Sequence, residues 1–519
     1  MILKKITIWS LVLAAGIWLA YGCGNNGDNG GHEDVEIHLP DAPTGIEASA
    51  GWKTVTLTWE AVDGANSYNI YYATESGVTT DIETKISEVT SESYEFLDLA
   101  NSTTYYYIVT AENSDGEGEP SEEISATPGF AGALDTSFGE EGVITFDTPY
   151  SGTGNAAIET DSNQNIIIGF SERSDGGYIK LYRFNSDGGI DATFGPNGDG
   201  TFLYEFDYPE LKKILIDSEG NIYIGFFYYN EGVDPIIGQI LKIDDAGDLV
   251  KDFGTNGLVT IEDFVLFDMA IDGDDNILAS SMVAEGNTVL INKFSGDSGE
   301  TDASFTPVEY SCPGSRENSS PLITTITVDQ NNNIFAAGAC DAGEDHPDNI
   351  FAGIVDPEGG WLVGPTLFSE MGEPVKIALS VDSVYISSKY YPDETTSSLL
   401  LYKLDNQLEL IEEFAEDGIY YIDQSVDSHS SGASFGIDMV DNNNLVLSYF
   451  IAASAADYHI GLESLNPLSG EKNNTPFSEY NDNLFGIPWR STVYEGGFLL
   501  VIADISDQSA PMYYLQRFK

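Results

Sequence analysis

Few residues in this chain have both the type and the spacing to do chemistry. The five histidines are His32, His38, His346, His429 and His459, and no two stand at the short intervals that metal ligands require. The three cysteines, Cys23, Cys312 and Cys340, lack a partner of the kind that activates a thiol. GASFG at 432–436 holds a serine between glycines, but no strand–helix turn surrounds it, so it is not read as a nucleophile elbow. Carboxylates are the remaining candidates, as an acid and base flanking a glycosidic bond. With 85 Asp and Glu in the chain, abundance alone singles out no pair. No catalytic residue and no enzyme activity is expected.

The same acidity speaks to partners. Against 85 acids there are 20 Lys and Arg, a formal net charge of −65. Such a surface repels phosphate backbones, so nucleic acid is excluded as a partner. A solvated, exported surface explains the charge. The alternative is that Asp-rich turns hold calcium through hard oxygens, but no loop has the alternating acidic spacing of an EF-hand. No cofactor or metal site is assigned, and calcium stays as the alternative.

The elements that must position any site are strands. The 29 Tyr and 26 Phe, with many Val, Ile and Thr, favour β-structure. The 53 Gly and 20 Pro punctuate short runs, as in an all-β protein. From Leu134 onward a unit recurs seven times. A Phe opens each copy, at Phe138, Phe194, Phe253, Phe305, Phe368, Phe414 and Phe477, usually followed by Gly, Ser or Ala. An acidic residue then precedes a polar turn, at Asp161, Asp217, Asp272, Asp329, Asp382, Asp441 and Glu495, in steps of 53 to 59 residues. Each copy ends on an alternating strand such as IKLYRF or LLLYKL. A period in this range marks an array of supersecondary units.

Residues 1–22 read as a targeting signal, with Lys4 and Lys5 ahead of an apolar stretch from Ile6 to Ala20. Ala20-Tyr21-Gly22-Cys23 resembles the lipobox of bacterial lipoproteins. The resemblance implies acylation of Cys23, a membrane partner reached through that anchor, and an outer-membrane or cell-surface location. Residues 23–39 form a flexible tether of Gly, Asn and Asp. From 40 to 128, VTLTW, SYNIYYA, SYEFLDL and TYYYIVTA alternate with period two, at the turn spacing of a seven-stranded sandwich. This stretch resembles a fibronectin type III domain, with Trp59 as the core Trp and Tyr105 at the tyrosine corner. A spacer role is expected of it.

Residues 129–519 divide into seven copies of four strands, the pattern of a seven-bladed β-propeller. In the first copy the strands are read as Val143–Phe146, Ala156–Glu159, Asn165–Phe170 and Tyr178–Phe184. LDTSFG, IDATFG and LVKDFG, with DSNQNI and DSEGNI, resemble the delta-60 repeat of bacterial surface proteins. The fold class is therefore all-β: a fibronectin type III sandwich plus a propeller of four-stranded antiparallel blades. Segment 132–139 is expected to dock beside Phe518 and seal the last blade to the first. The Asp-x-x-x-Asn turns should line one rim, their side chains bonding the backbone. Longer loops on the other rim carry Tyr228, Tyr229, Tyr390 and Tyr391, the candidate binding residues, which could equally continue a strand and pack between blades. Cys312 and Cys340 fall on a shared rim and are expected to form a disulfide. The expected function is a monomeric, lipid-anchored, non-catalytic binding or scaffold protein for a glycan, peptide or protein partner. The alternative is a glycan-acting hydrolase or lyase with carboxylates at the propeller channel.

Overall fold

The computed structural model describes residues 38–51, 54–81, 84–97, 99–100, 103–128, 135–140, 142–147, 156–172, 176–230, 233–262, 264–283, 289–310, 322–340, 349–390, 396–415, 417–427, 436–441, 444–454, 457–472, 487–494, 497–504 and 512–518. The described residues are all-β, without a helix.

The first unit is a sandwich. Strands β1 (Glu47–Gly51), β2 (Thr54–Thr58) and β5 (Ser93–Phe96) form one sheet. β3 (Ser67–Ala73), β4 (Lys85–Val89), β6 (Tyr105–Asn113) and β7 (Gly116–Glu117) form the other, with β8 (Ile124–Ala126) pairing β6. Alternation in β2 turns Val55 and Leu57 inward and leaves Thr58 in water. Trp59 packs edge-on against Tyr68 at 5.3 Å between ring centroids. The Tyr105 hydroxyl accepts the Ala100 N–H at 3.1 Å, the corner contact expected from the sequence. His38, read as part of the tether, is tied down: its N–H donates to Asp115 and its carbonyl accepts from Asn113.

The rest of the described chain is a succession of antiparallel sheets. After β9 (Val143–Asp147) the first comprises β10 (Ala156–Thr160), β11 (Ile166–Glu172), β12 (Tyr178–Phe184) and β13 (Thr201–Glu205). The second comprises β14 (Pro209–Ile216), β15 (Ile222–Asn230), β16 (Val233–Ile243) and β17 (Leu258–Ile261). The third comprises β18 (Phe264–Ile271), β19 (Ile277–Val283), β20 (Val289–Phe294) and β21 (Val308–Tyr310). Next come β22 (Leu322–Val328), β23 (Ile334–Cys340) and β24 (Asn349–Val355), then β25 (Trp361–Leu379), β26 (Val384–Tyr390), β27 (Thr396–Leu404) and β28 (Ile419–Asp427). The long β25 is shared: its first half pairs β24 as a fourth strand, and its second half pairs β26 as a first strand. β29 (Gly436–Asp441), β30 (Asn444–Ser454) and β31 (Asp457–Leu465) follow. The last sheet is β32 (Ile487–Tyr494), β33 (Gly497–Asp504), β34 (Met512–Phe518) and β9.

The repeat unit and the sheet are thus out of phase by one strand. Val143–Phe146 does not begin the first sheet; it pairs with β34, Ile144 opposite Leu515, and completes the last. Periodicity fixes the length of a copy but not the point where hydrogen bonding passes from one sheet to the next. The grouping of loops by rim survives the shift, because every strand moves by the same step.

Adjacent sheets bury apolar faces against each other. Phe194, Ile167, Leu181, Ile214 and Ile224 share one core between the first and second sheets. Phe138, Ile144, Ile158, Ile168, Leu499 and Leu515 share another between the last and the first. First strands neighbour one another in chain order, and β32 lies against β10.

A repeated lock explains the Phe-Gly signature. Phe194 is fully buried, and Gly195 after it takes φ +85° and donates its N–H to Ala246 O in the second sheet's turn at 2.8 Å. A Cβ on Gly195 would lie 1.8 Å from Thr201 O, so only glycine fits there. Arg183, near the end of β12, reaches the same turn and donates to Asp245 O at 2.6 Å, its guanidinium over the Phe194 ring. Lys242 donates likewise to Gly296 O at 2.9 Å, Lys403 to Pro467 O at 2.7 Å, and Arg517 to Ser186 O. This last contact runs from the last sheet to the first, and beside it Gly139 N–H donates to Asp187 O at 3.0 Å. Asp135 pairs with Arg517, whose guanidinium covers the Phe138 ring at 4.4 Å.

Candidate functional site

The conspicuous Asp turns are closed to other work. In Asp161 one carboxylate oxygen accepts the N–H groups of Asn163 and Asn165, both at 2.8 Å, and the other accepts the Asn165 side chain. Asp217, Asp272 and Asp329 repeat the arrangement. Lys293 adds a 2.7 Å ion pair to Asp272. Burial pushes the Asp272 carboxyl up, but Lys293 and Asn276 outweigh it and hold the group below the usual range. Asp382 sits differently, exposed in a turn closed by Ser380 and Ser383.

Chemistry gathers instead on the first strands. β14, β18, β22, β25 and β32 each carry an irregularity at the same register, just before Lys213, Asp268, Thr325, Lys376 and Arg490. A bulge turns the following residue away from the regular pleat. Small side chains on the second strand make room: Ser280 Oγ donates to Asp268 O, and Ser387 Oγ to Lys376 O. Lys213 pairs with Asp268 at 3.5 Å, and Asp268 also accepts the N–H groups of Met269 and Ile326. Lys376 pairs with Asp438 of β29 at 2.5 Å, and the other Asp438 oxygen accepts the Ser491 hydroxyl at 2.6 Å. Each pair joins the first strands of neighbouring sheets.

Glu159 of β10 carries the equivalent acid of the first sheet, and among the described residues no ion pair joins it. Its carboxylate accepts the Thr160 N–H at 3.0 Å. The side chain is half-buried. Desolvation pushes its carboxyl above the ordinary range; Thr160 N–H, Lys213 and Lys376 oppose the shift, and Asp438 adds to it. The arrangement can hold or pass a proton at Glu159, or accept a positive group there.

A second polar cluster is saturated. Glu463 accepts Tyr420 at 2.7 Å, Tyr449 at 2.6 Å and Lys472 at 2.7 Å. Burial, then Glu463 itself, pushes both phenols far up.

The residues singled out by sequence are dispersed. Tyr228 belongs to β15, which continues to Asn230, and its half-buried ring packs edge-on against Phe206 at 5.0 Å. Tyr390 is the last residue of β26. Tyr391, like the side chains of Tyr229 and Tyr390, lies outside the described residues. Cys340 ends β23, is buried and disulfide-bonded, and its sulfur lies 3.7 Å from the Tyr310 hydroxyl. Cys312, its expected partner, and Cys23 lie outside the described residues. Among those residues no three His, Cys, Asp or Glu gather as metal ligands, and no helix is long and apolar enough to cross a membrane. Sequence reading missed Glu159, Lys213, Lys376 and Asp438, since nothing but strand register brings them together. The cross-sheet Arg and Lys were readable, as the penultimate residue of IKLYRF, QILKI and LLLYKL.

Residues 41–127 match the fibronectin type III domain family. The sandwich is a fibronectin type III domain. Among curated proteins, an amylopullulanase of Thermoanaerobacter thermohydrosulfuricus is 39% identical over 96 residues, 18% of this chain and 6% of its own length. A poly(3-hydroxybutyrate) depolymerase of Ralstonia pickettii is 39% identical over 88 residues, 17% of this chain and 16% of its own. This chain thus spans a small part of either relative. Among solved structures, a fibronectin-type-III-like protein from Clostridium thermocellum is 35% identical, covering 18% of this chain and 96% of its own, with a TM-score of 0.16. The polysaccharide lyase Uly1 is 9% identical, covering 71% and 91%, with a TM-score of 0.42.

Proposed function

We propose that the chain is an exported, lipid-anchored surface protein in which the fibronectin type III domain is a spacer and the later sheets close into a seven-bladed, delta-60-like propeller used as a binding platform. The carrying observation is the lock of Arg517 and Gly139 onto the first sheet, which repeats the contacts between the first and second. Closure leaves no exposed sheet edge at the seam. The anchor rests on the resemblance of residues 20–23 to a lipobox, with Cys23 as the acylated residue. A non-catalytic role is favoured because Asp268 and Asp438 are each held by a lysine and further donors. A two-carboxylate glycosidase needs one acid and one base free to act. Binding of the purified chain to a glycan and peptide array, without release of reducing ends or unsaturated products, is the expected result. Polysaccharide cleavage would replace the reading by the second one, a glycan-acting hydrolase or lyase, which Glu159 favours by its raised pKa. The Cys312–Cys340 disulfide belongs to the same proposal, as a staple suited to an oxidising compartment.

A further inference from the structure

We propose that the joint between the fifth sheet (second half of β25 to β28) and the sixth (β29 to β31) is a latch: turn 466–470 lifts off the fifth sheet while the rest of that joint stays closed. The lock here departs from the others in three residues. At the other joints with a cation in this place, a carboxylate meets it. Arg183 pairs with Asp191 at 2.7 Å, Lys242 with Asp217 at 3.6 Å, Lys293 with Asp272 at 2.7 Å, and Arg517 with Asp135. These acids stand three residues before a buried Phe or at the head of an Asp turn. In the fifth sheet those two places hold Ile411 and Ser380. Among the described residues no carboxylate pairs with Lys403, which is buried. Its ammonium donates to Pro467 O at 2.7 Å and to Leu468 O at 3.5 Å, over the Tyr385 and Phe414 rings. Burial pushes that ammonium below its usual range, against the opposing pull of Glu413. The third departure is Ala415. It stands where other joints have Gly139, Gly195 and Gly254, takes φ +48°, and donates its N–H to Ser469 O at 3.0 Å. A buried unpaired charge is costly, and so is a left-handed backbone for a residue with a Cβ. Both costs fall when the turn moves away.

The opening is local because the same two sheets are tied elsewhere. Lys376 pairs with Asp438 at 2.5 Å between first strands, and Tyr420 of β28 donates to Glu463 of β31 at 2.7 Å. The turn keeps its own bonds as it moves. The Asn466 side chain accepts the N–H groups of Leu468 and Ser469, at 2.8 and 3.2 Å, and the Gly470 N–H donates to Asn466 O at 2.8 Å. The Tyr385 hydroxyl gives up its 2.7 Å bond to Pro467 O, which water replaces. None of these contacts involves the seam, so the latch does not depend on ring closure.

The test is hydrogen exchange of the purified chain at pH 7, resolved to single residues and read as protection factors, which remove differences in intrinsic rate. The reporters are the link amides of Gly195, Gly254 and Ala415, each bonded to a carbonyl in the next sheet's turn. The expected result is an Ala415 amide about tenfold or more less protected than the other two. Ile411→Asp supplies an acid at the position Asp191 holds beside Arg183, and Ala415→Gly removes the left-handed cost. Each is expected to raise protection at residue 415 about fivefold or more. Val250→Asp is the control, at a joint where Lys242 already has Asp217, and should leave the Gly254 amide unchanged. Equal protection at the three amides, no gain in either variant, or a comparable gain at Gly254 in the control would overturn the proposal. Exchange as fast along β31 as at Ala415 would overturn it too, since the sixth sheet would then fray as a whole.

Discussion

At the scale of the residue, one device recurs with different side chains. A basic group crosses to a carbonyl in the next sheet's turn, over a buried Phe, while the residue after that Phe turns left-handed to donate its N–H. Gly195 takes φ +85° with Thr201 O in the way of any Cβ, so Gly195→Ala should lower unfolding free energy by about 2 kcal/mol or more. Gly364→Ala, where nothing lies within 4 Å of the added carbon, should stay within about 0.5 kcal/mol. Urea midpoints of the two variants check this. Ionisable residues give a signed pH dependence. The Asp272 carboxyl is lowered in the folded state, so its contribution is present above the unfolded pKa and is lost as pH falls through the folded value. The Glu159 carboxyl is raised, so its ionisation costs stability as pH climbs from the unfolded value through the folded one. Glu159→Gln should therefore stabilise the chain at pH 8 more than at pH 4, read from urea unfolding at both. Phe138, Phe194 and Arg183 could be found in the sequence because they repeat. Glu159 could not, because its environment is made by strands over two hundred residues apart.

At the scale of the element, the alternating runs were legible as strands, and the sandwich down to its Tyr105 corner. Strand ends and phase were not. FYYN reads as a loop by its polar end, yet pairing carries β15 through Asn230. The first-strand bulges were invisible, since a bulge depends on the register against the second strand and not on composition. These bulges precede Lys213, Asp268 and Lys376, so the Lys213–Asp268 and Lys376–Asp438 pairs were unreadable for the same reason. The end of β23 carries a testable feature: Cys340 is disulfide-bonded. Non-reducing peptide mapping should recover a Cys312–Cys340 peptide, and reduction should lower the melting temperature through loss of a constraint worth about 2–4 kcal/mol. Two free thiols would refute the pairing.

At the scale of the whole molecule, the account depends on whether the succession of sheets closes. The number of copies was legible as a period, but closure was only an inference from segment 132–139 and the chain end. The pairing of β9 with β34 and the Arg517 lock give that inference its mechanism. Removing one partner of a buried ion pair costs about 3–5 kcal/mol. Arg517→Met, at the seam, should therefore destabilise as much as Arg183→Met within the array, both measured by urea unfolding. An open array would show a far smaller loss at its seam than in its middle.

The most direct measurement is an electron-density map of the purified chain, read for the hydrogen-bond partner of strand 512–518. The expected map shows Val143–Asp147 as the outer strand beside it, in a circle of seven sheets with Arg517 on Ser186 O. A map in which residues 143–147 pair within the first sheet, or in which a gap separates β32 from β10, would contradict the account.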